Sequence, residues 1–525
     1  MTDAAAAEAA SATSAALGRL MLAFDGVELP EPMRRRLAAA PAAGVTLFRF
    51  RNVDSPAQVR GLTDAIQACA PGDEPFLVAI DQEGGQLRGL GPGSTPFPGN
   101  MALGAAGDPA LTRRVGEAIG SELRAVGVNV NYAPVADLAT NPLNPSLGVR
   151  SFGDDPPVVA THVAAMVEGL ESAGVAATVK HFPGKGHAAV DTHHQLARVD
   201  RTLDELRVRE LRPFTAGFDA GASLVMSGHF AIPSLTGDTP ATLTPAVMRD
   251  LLRTDLGFGG VTISDSFDMD ALSPGTGRLA DAVRGLNGGL DLLLLGSRSD
   301  VASFDVAVGT ADAAGELDPA RSAEALARIG ILRRRLGGAD PVDLAAVGAE
   351  EHQALAREVA ERAITLLRDR DGLLPLRPTS HDRILVVMPR PLDLTPADTS
   401  SAEGVGLAAA IRRRHPATDE LLVDQAPTGD ETRAAVAAAT TADVVVVGSV
   451  SASLEPAQAE LVQAVLAVGR PTVTVAMRTP WDLAAYPTAG THLCAYSILE
   501  PSCEAVAAAC FGELRATGRL PVATA

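Results

Sequence analysis

Residues 180 to 195 read Lys-His-Phe-Pro-Gly-Lys-Gly-His-Ala-Ala-Val-Asp-Thr-His-His-Gln, a stretch that holds both lysines of the protein and four of its ten histidines. Every other Lys/Arg position is arginine, so Lys180 and Lys185 mark places where a compact ammonium is required rather than a planar fork. Asp191 lies two residues before His193, close enough to accept its ring N–H, fix its tautomer and raise its pKa. Such a pair is a poised general acid/base. A metal site is not expected here, because the lysines would repel a cation and no cysteine is near.

A second reactive group stands in Val-Thr-Ile-Ser-Asp-Ser-Phe-Asp-Met (261 to 269). Asp265 follows a buried-type apolar run directly, where a carboxylate is costly unless used, and is the strongest candidate nucleophile. Asp268 is its competitor, or else the N-cap of the next helix. A carboxylate opposite a proton donor is what glycoside cleavage with retention needs: one attacks the anomeric carbon, the other protonates the leaving oxygen. The best donor here is a histidine, not a second acid.

These residues need elements to hold them. Ala176 to Val179 is a short apolar run, broken by Pro183, Gly184 and Gly186, so Lys180 and His181 sit where a strand ends. Similar runs recur at Gly44 to Phe50, Phe76 to Ile80, Val126 to Val130, Ser223 to Met226, Gly260 to Ile263 and Leu290 to Leu295, each followed by a loop and an Ala/Leu/Arg helix. Polar residues come directly after them: Arg51 and Asn52, Asp81, Asn131, Lys180 and His181, Ser227 and His229, Asp265, Ser297. The rhythm predicts an α/β fold, a (β/α)8 TIM-type barrel over 1–340, whose strand ends converge on one face. The Ala-rich stretch 4 to 24 reads as a helix. Residues 341–372 read as a linker with a helix over Glu350 to Arg370, its apolar face formed by Leu355, Val359, Ala363 and Leu366. Five further runs, Ile384 to Met388, Leu421 to Val423, Val444 to Val447, Thr472 to Ala476 and His492 to Tyr496, predict a smaller C-terminal α/β sandwich over 373–525. It has no Gly-rich phosphate loop.

Composition narrows the partners. The 525 residues carry a net charge of −19, which excludes nucleic acid and anionic membrane as binding surfaces and leaves a small molecule. No apolar run reaches the length of a membrane span, and the first arginine, at 19, follows acidic residues, so neither a membrane segment nor a signal peptide is expected and the cytoplasm is the default. The four cysteines have no Cys-x-x-Cys spacing. Only 3% of residues are aromatic, so an aromatic-lined polysaccharide groove is not expected and a pocket for one terminal sugar is. Nothing sets an oligomeric state.

Asp-Gln-Glu-Gly-Gly (81 to 85), Asn-Pro-Leu-Asn-Pro-Ser-Leu-Gly-Val-Arg-Ser-Phe-Gly (141 to 153), Lys-His-Phe-Pro-Gly (180 to 184), Asp-Thr-His (191 to 193), Pro-Ala-Thr-Leu (240 to 243) and Ser-Asp ahead of Met269 together resemble glycoside hydrolase family 3. They are most similar to its β-N-acetylglucosaminidase branch, the bacterial cell-wall recycling enzymes, over about residues 16 to 335. Asp371-Gly-Leu-Leu-Pro-Leu and Gly518-Arg-Leu-Pro resemble the family's C-terminal sandwich. The resemblance implies a cofactor-free β-N-acetylhexosaminidase with Asp265 as nucleophile, His193 as acid/base and Asp191 as its partner. It implies that Asp81, Arg150, Lys180 and His181 bind the sugar, to which Arg88, Met226 and His229 are added as expected substrate contacts. Three positions depart from the pattern: Gly184-Lys185-Gly186 stands for Gly-His-Gly, Gly89 for an arginine that Arg88 replaces one place early, and Asp265-Ser266 for Asp-Asp. Glu403 is an alternative acid/base, a sugar-binding protein without catalysis is an alternative of another class, and broader β-glucosidase activity or phosphorolysis are alternative reactions. The last follows from a histidine that is neutral after donation and does not repel an incoming phosphate.

Overall fold

The structure is a computed structural model and describes residues 14–72, 74–370 and 372–524. Eight parallel strands form the first unit: β1 (Leu20–Leu22), β2 (Gly44–Thr46), β3 (Leu77–Ile80), β4 (Val130–Asn131), β5 (Ala176–Phe182), β6 (Leu224–Ser227), β7 (Val261–Ser264) and β8 (Leu293–Leu294). Each pairs with its neighbour in sequence from β1 to β7, β8 pairs with β1, and a single bridge from Ile263 to Leu292 spans the remaining gap. This is the expected (β/α)8 barrel. Its strands are buried along their whole length, which is why they appear in the sequence as unbroken apolar runs and not as alternation.

The helices that cover the barrel start where capping chemistry puts them. In α1 (Pro109–Ala125) the Asp108 side chain accepts from the backbone of Ala110 and Leu111, with proline at the first helical position. It packs on α2 (Pro156–Ser172), which repeats the proline start.

The second unit is a six-stranded sheet of β9 (Thr365–Asp369), β10 (Ile384–Pro389), β11 (Thr418–Val423), β12 (Val444–Ser449), β13 (Thr472–Ala476) and β14 (Thr491–Cys494), in the order β9-β14-β13-β12-β10-β11. Only β9 is antiparallel. Ile384, Val386 and Met388 point into one apolar cluster and Leu385 and Val387 into another, so helices cover both faces of the predicted sandwich. The described part of the chain contains no helix long and apolar enough to cross a membrane.

Three local expectations are corrected. The helix expected over 4 to 24 is, from residue 15, a short 3-10 turn (Ala15–Arg19) followed by β1, while residues 4–13 lie outside the described residues. Leu20, Met21 and Leu22 pair on both sides, to β8 and β2, and closing the barrel outweighs the helical preference of an Ala/Leu stretch. The run Gly44 to Phe50 is a strand only to Thr46, because Arg49–Asn52 turns into helix at the barrel rim. The linker helix, α3 (Glu350–Ala363), stops at Ala363, and Leu366 stands on β9, paired to Leu493, instead of on an apolar helix face.

Candidate active site

The C-terminal ends of the barrel strands open into a cavity of about 440 Å³, whose wall includes Asp81, Arg150, Lys180, His181, His193, Met226 and Asp265. The wall also includes the apolar Leu47, Ile80, Leu294 and Met269, the segment Phe48 to Arg51, Asp268 with Ser266 and Arg298 beside Asp265, and Pro396 to Thr399 from the second unit.

Lys180 lies near the end of β5, with Asp81 Oδ1 2.5 Å and Glu83 Oε1 2.6 Å from its Nζ. Glu83 also takes a two-pronged grip from Arg150, at 2.9 Å from Nε and 2.8 Å from Nη2. Burial opposes the charge on Glu83, but Arg150 and Lys180 outweigh it and bring the carboxyl down to about 2. Burial likewise opposes the charge on Lys180, yet Asp81 and Glu83 raise its pKa above the ordinary value. Two cations thus face two carboxyls at the wall of the cavity; burial raises the Asp81 carboxyl above its usual pKa despite Lys180, and the cluster keeps polar groups for a ligand's hydroxyls.

His181 is buried, and its Nδ1 lies 2.7 Å from Asp137 Oδ2. Burial and the nearby Lys185, Arg150 and Lys180 push its pKa well below the usual value, so the ring is neutral, Nδ1–H donates to Asp137, and Nε2 is an acceptor. The other Asp137 oxygen accepts from the Lys185 backbone at 2.7 Å. Asp137 therefore fixes both ends of the Lys-His-Phe-Pro-Gly-Lys turn. Within it, the Lys180–His181 and Phe182–Pro183 peptides are cis.

His193 and Asp191 form the expected pair. Nδ1 is 2.7 Å from Asp191 Oδ1, the same oxygen accepts from the His193 backbone at 2.9 Å, and Nε2 is left for the cavity. Asp191 is itself behind the wall. Burial works against its charge, but the His193 hydrogen bonds and Lys185 hold it at about 2, so it remains a carboxylate.

Asp265 leaves β7 at the cavity, and its Oδ1 accepts from the Ser266 backbone at 2.8 Å. Burial would raise its pKa; Lys185, His229 and His193 lower it below the usual carboxylate range. Lys185 is buried, and its ammonium hydrogen-bonds to nothing among the described residues. Asp268 differs: Oδ1 accepts from Ser266 Oγ at 2.7 Å and Oδ2 from the Arg298 backbone at 2.9 Å. It ties the loop and caps no helix, since the next one begins at Thr276 behind Gly275.

Two expected contacts lie outside the wall. Arg88 turns away to Glu403, at 2.5 Å, and to the carbonyls of Ser94 and Gly91. Its one-place shift from Gly89 sends the side chain to the opposite side of the strand. His229 spends both ring nitrogens on the protein, at 2.9 Å from Thr242 Oγ1 and 3.1 Å from the Ser266 carbonyl, and so braces the Asp265 turn. Glu403, already paired with Arg88, is also absent from the wall. Glu83 and Asp137 are the residues that sequence reasoning missed. Glu83 stands inside the Asp-Gln-Glu-Gly-Gly motif, and Asp137 follows a strand end by six residues; neither has a spacing that announces an ion-pair partner. Among the described residues no group of acidic, histidine or cysteine side chains is arranged to hold a metal.

The model of the glycosyl hydrolase family 3 N terminal domain matches residues 22–332, and that of the family's C-terminal domain matches residues 364–525. The chain belongs to glycosyl hydrolase family 3. It is an enzyme of that family in a two-domain form, barrel and sandwich. A "Beta-hexosaminidase A" of Pseudoalteromonas piscicida is 34% identical over 66% of this chain, and the chain spans 63% of that relative's length. A "Beta-hexosaminidase" of Stenotrophomonas maltophilia is 41% identical over 53% of this chain and 82% of the relative. The structure of a family 3 β-N-acetylglucosaminidase from Paenibacillus sp. superimposes with a TM-score of 0.91 at 33% identity, covering 97% of this chain and 98% of that one.

Proposed function

We propose that the protein is a retaining, exo-acting β-N-acetylglucosaminidase that works through a covalent glycosyl-aspartate. The observation that carries this reading is the meeting, in one cavity, of a charged Asp265 and a His193 whose far nitrogen is held by Asp191 at 2.7 Å. Asp265 attacks the anomeric carbon while the His193 imidazolium gives its Nε2 proton to the leaving oxygen. The neutral ring then takes a proton from water, whose oxygen displaces Asp265. Asp191, fixed as a carboxylate, supports the cationic ring in the first step and selects the right tautomer in the second. Asp81, Lys180, Arg150 and His181 hold the sugar hydroxyls, and Met226 packs under the ring. Asp268 is committed to Ser266 and Arg298, which favours Asp265 as nucleophile. The names of the relatives support the aminosugar over glucose, and the small cavity supports a terminal residue over an internal one. The cytoplasm and cell-wall glycan turnover are the setting proposed, and all four cysteines are free thiols, as a reducing compartment allows.

Covalent trapping with a fluorinated aminosugar tests this. Wild type and Asp268→Ala should be labelled and Asp265→Ala should not; a label on Asp268, or a higher kcat/KM for the β-glucoside than for the β-N-acetylglucosaminide, overturns the reading.

One observation favours a second reaction. The acid/base on the wall is a histidine, neutral when the intermediate is attacked, while the buried Lys185 ammonium stands behind the wall and adds positive charge without lining the cavity. A carboxylate in that place would oppose an incoming phosphate by roughly 4 kcal/mol for unit charges about 4 Å apart at an effective dielectric near 20. Phosphorolysis is therefore the alternative to hydrolysis. N-acetylglucosamine 1-phosphate as the main product in phosphate buffer selects it, and free sugar alone removes it.

A further inference from the structure

Among the described residues the second domain reaches the cavity through one segment, the chain that follows β10, where Pro396 to Thr399 form one side of the wall. The segment is braced from within. Asp398 is buried, accepts from the Ser400 backbone at 2.9 Å and from the Leu394 backbone at 3.1 Å, and pairs with Arg478 at 2.9 Å. Arg478 stands two residues past the end of β13, so the C-terminal edge of the second sheet faces the mouth of the barrel.

The segment is also bolted to a small hairpin of the barrel, in which Gln82–Gly84 pairs with Leu87–Arg88. The Thr399 backbone donates to the Gln86 carbonyl at 2.7 Å, and the Arg88 backbone donates to Thr399 Oγ1 at 3.1 Å. Thr399 Oγ1 lies 3.1 Å from the Gln86 carbonyl and can donate to it. Gln86 in turn donates from Nε2 to the Ala397 carbonyl at 3.1 Å and accepts from Arg478. These groups are nearly all buried, so each hydrogen bond holds position without competition from water.

That hairpin is no ordinary loop. It begins one residue after Asp81, and its first strand carries Glu83, the carboxylate on which Lys180 and Arg150 both close. Gly84 and Gly85, at φ of 82° and 58°, allow its turn, and the Gly85 backbone is tied to Phe97. Its tip has the second domain as an anchor, and its base holds the charge balance of the sugar site.

We propose that Thr399 is a positioning residue for sugar binding: through it the second domain sets the hairpin, and the hairpin sets Asp81 and Glu83 under the sugar. The inference rests on the proposed glycosidase reading. Because Asp265 and His193 stand on other strands and loops, disturbing the joint should weaken binding of ground state and transition state alike and leave the chemical step.

The experiment compares Thr399→Val and Thr399→Ser with wild type in kcat, KM, thermal midpoint, and calorimetric affinity for free N-acetylglucosamine, which needs no turnover. Thr399→Val keeps the shape and removes the hydroxyl. It is expected to raise KM and the free-sugar Kd together, about tenfold, the size of one lost buried hydrogen bond to a neutral group, with kcat within about twofold. Thr399→Ser retains the hydroxyl and should rescue both. Unchanged KM and Kd in Thr399→Val overturn the inference. So does a fall in kcat and thermal midpoint at constant Kd, the signature of a purely structural joint, and so does a Thr399→Ser variant that fails to rescue. A wild type that binds the free sugar but turns over no N-acetylglucosaminide fails the glycosidase reading separately, and the calorimetric comparison still decides the joint.

Discussion

Lys185 is the residue whose chemistry is least used by the protein itself. Its ammonium is buried, makes no hydrogen bond among the described residues, and feels the charges of Arg150, Asp265, Asp137 and Asp191. Burial and Arg150 lower its own pKa, while its charge is the largest force keeping Asp265 ionised against burial. In Lys185→Met the Asp265 pKa therefore rises, and the acidic limb of kcat/KM against pH should move to higher pH, with the alkaline limb less affected. An acidic limb that stays in place would remove Lys185 from the account of nucleophile charge. Glu83 gives the opposite exercise. Its folded pKa of about 2 lies below the ordinary 4.5, so its contribution to stability is complete above pH 4.5 and disappears as pH falls toward 2. Glu83→Gln leaves Lys180 and Arg150 without their shared carboxylate, a break in a buried ion cluster that typically costs about 3–5 kcal/mol. The stability gap between wild type and Glu83→Gln, measured by denaturant unfolding, should be widest near neutrality and should narrow between pH 4.5 and 2. The two lysines were legible because the chain uses arginine everywhere else. Glu83 and Asp137 were not, since a carboxylate that holds a binding residue in place has no pattern of its own in the sequence.

At the scale of elements, the loop from Gly184 to Gln195 has to present His193 to a cavity built by other strands, and it does so under several ties. Asn144 Nδ2 donates to the carbonyls of Lys185 at 3.1 Å and Gly186 at 3.3 Å, and the Asp270 backbone donates to the His193 carbonyl at 3.2 Å. Gly186 packs so close to Leu138 that a Cβ there would overlap the Leu138 carbonyl. Gly186→Ala must push the loop outward, and a displacement of about 1 Å at a catalytic group costs on the order of 100-fold. The expectation is a fall of that order in kcat with a far-UV spectrum unchanged; kcat within about threefold of wild type would show that the loop absorbs the shift elsewhere. Most strand positions were legible because a barrel strand buried on both faces must be apolar throughout, and the polar residues after each run marked the catalytic end; the run Val126 to Val130 was not, being the turn that leaves α1 and strand only from Val130. β1 escaped because three residues of Leu and Met within an Ala-rich stretch have no local preference for strand. What makes them a strand is pairing to β2 and β8, the second of which lies 273 residues away in Leu20↔Leu293. Leu366 failed in the same way: a helical spacing carried through Ala363, and the partner that turns the chain to strand stands at Leu493.

For the whole molecule, the sequence divides the chain at about residue 340, whereas the packing does not divide there. Leu355, Val359, Trp481, Tyr496 and Val522 belong to the same apolar cluster as the barrel core. α3 packs on the barrel helix Asn100–Ala106 on one side and on Glu500–Phe511 on the other, and Arg114–Glu358 and Arg362–Asp108, both at 2.9 Å, tie it to α1 and its cap. The tail after Gly518 returns to the barrel, where the Pro521 carbonyl accepts from the Asp154 backbone at 3.1 Å. The relative from Stenotrophomonas maltophilia matches over 282 residues, 53% of this chain and 82% of its own length. In this chain a barrel alone should not suffice. Burying a large apolar side chain stabilises by about 1.5–3 kcal/mol, and five such side chains lost from the cluster match the roughly 5–15 kcal/mol that holds a domain folded. Truncation after residue 340 would also strip Pro396 to Thr399 from the cavity and free the tip of the hairpin that carries Glu83. The 1–340 fragment is therefore expected to be insoluble or molten and inactive, while co-expression with a 341–525 fragment should restore activity if the two associate through α3. A soluble 1–340 fragment with wild-type KM for the aminosugar glycoside would show that neither the shared core nor the second domain's wall is needed for sugar binding.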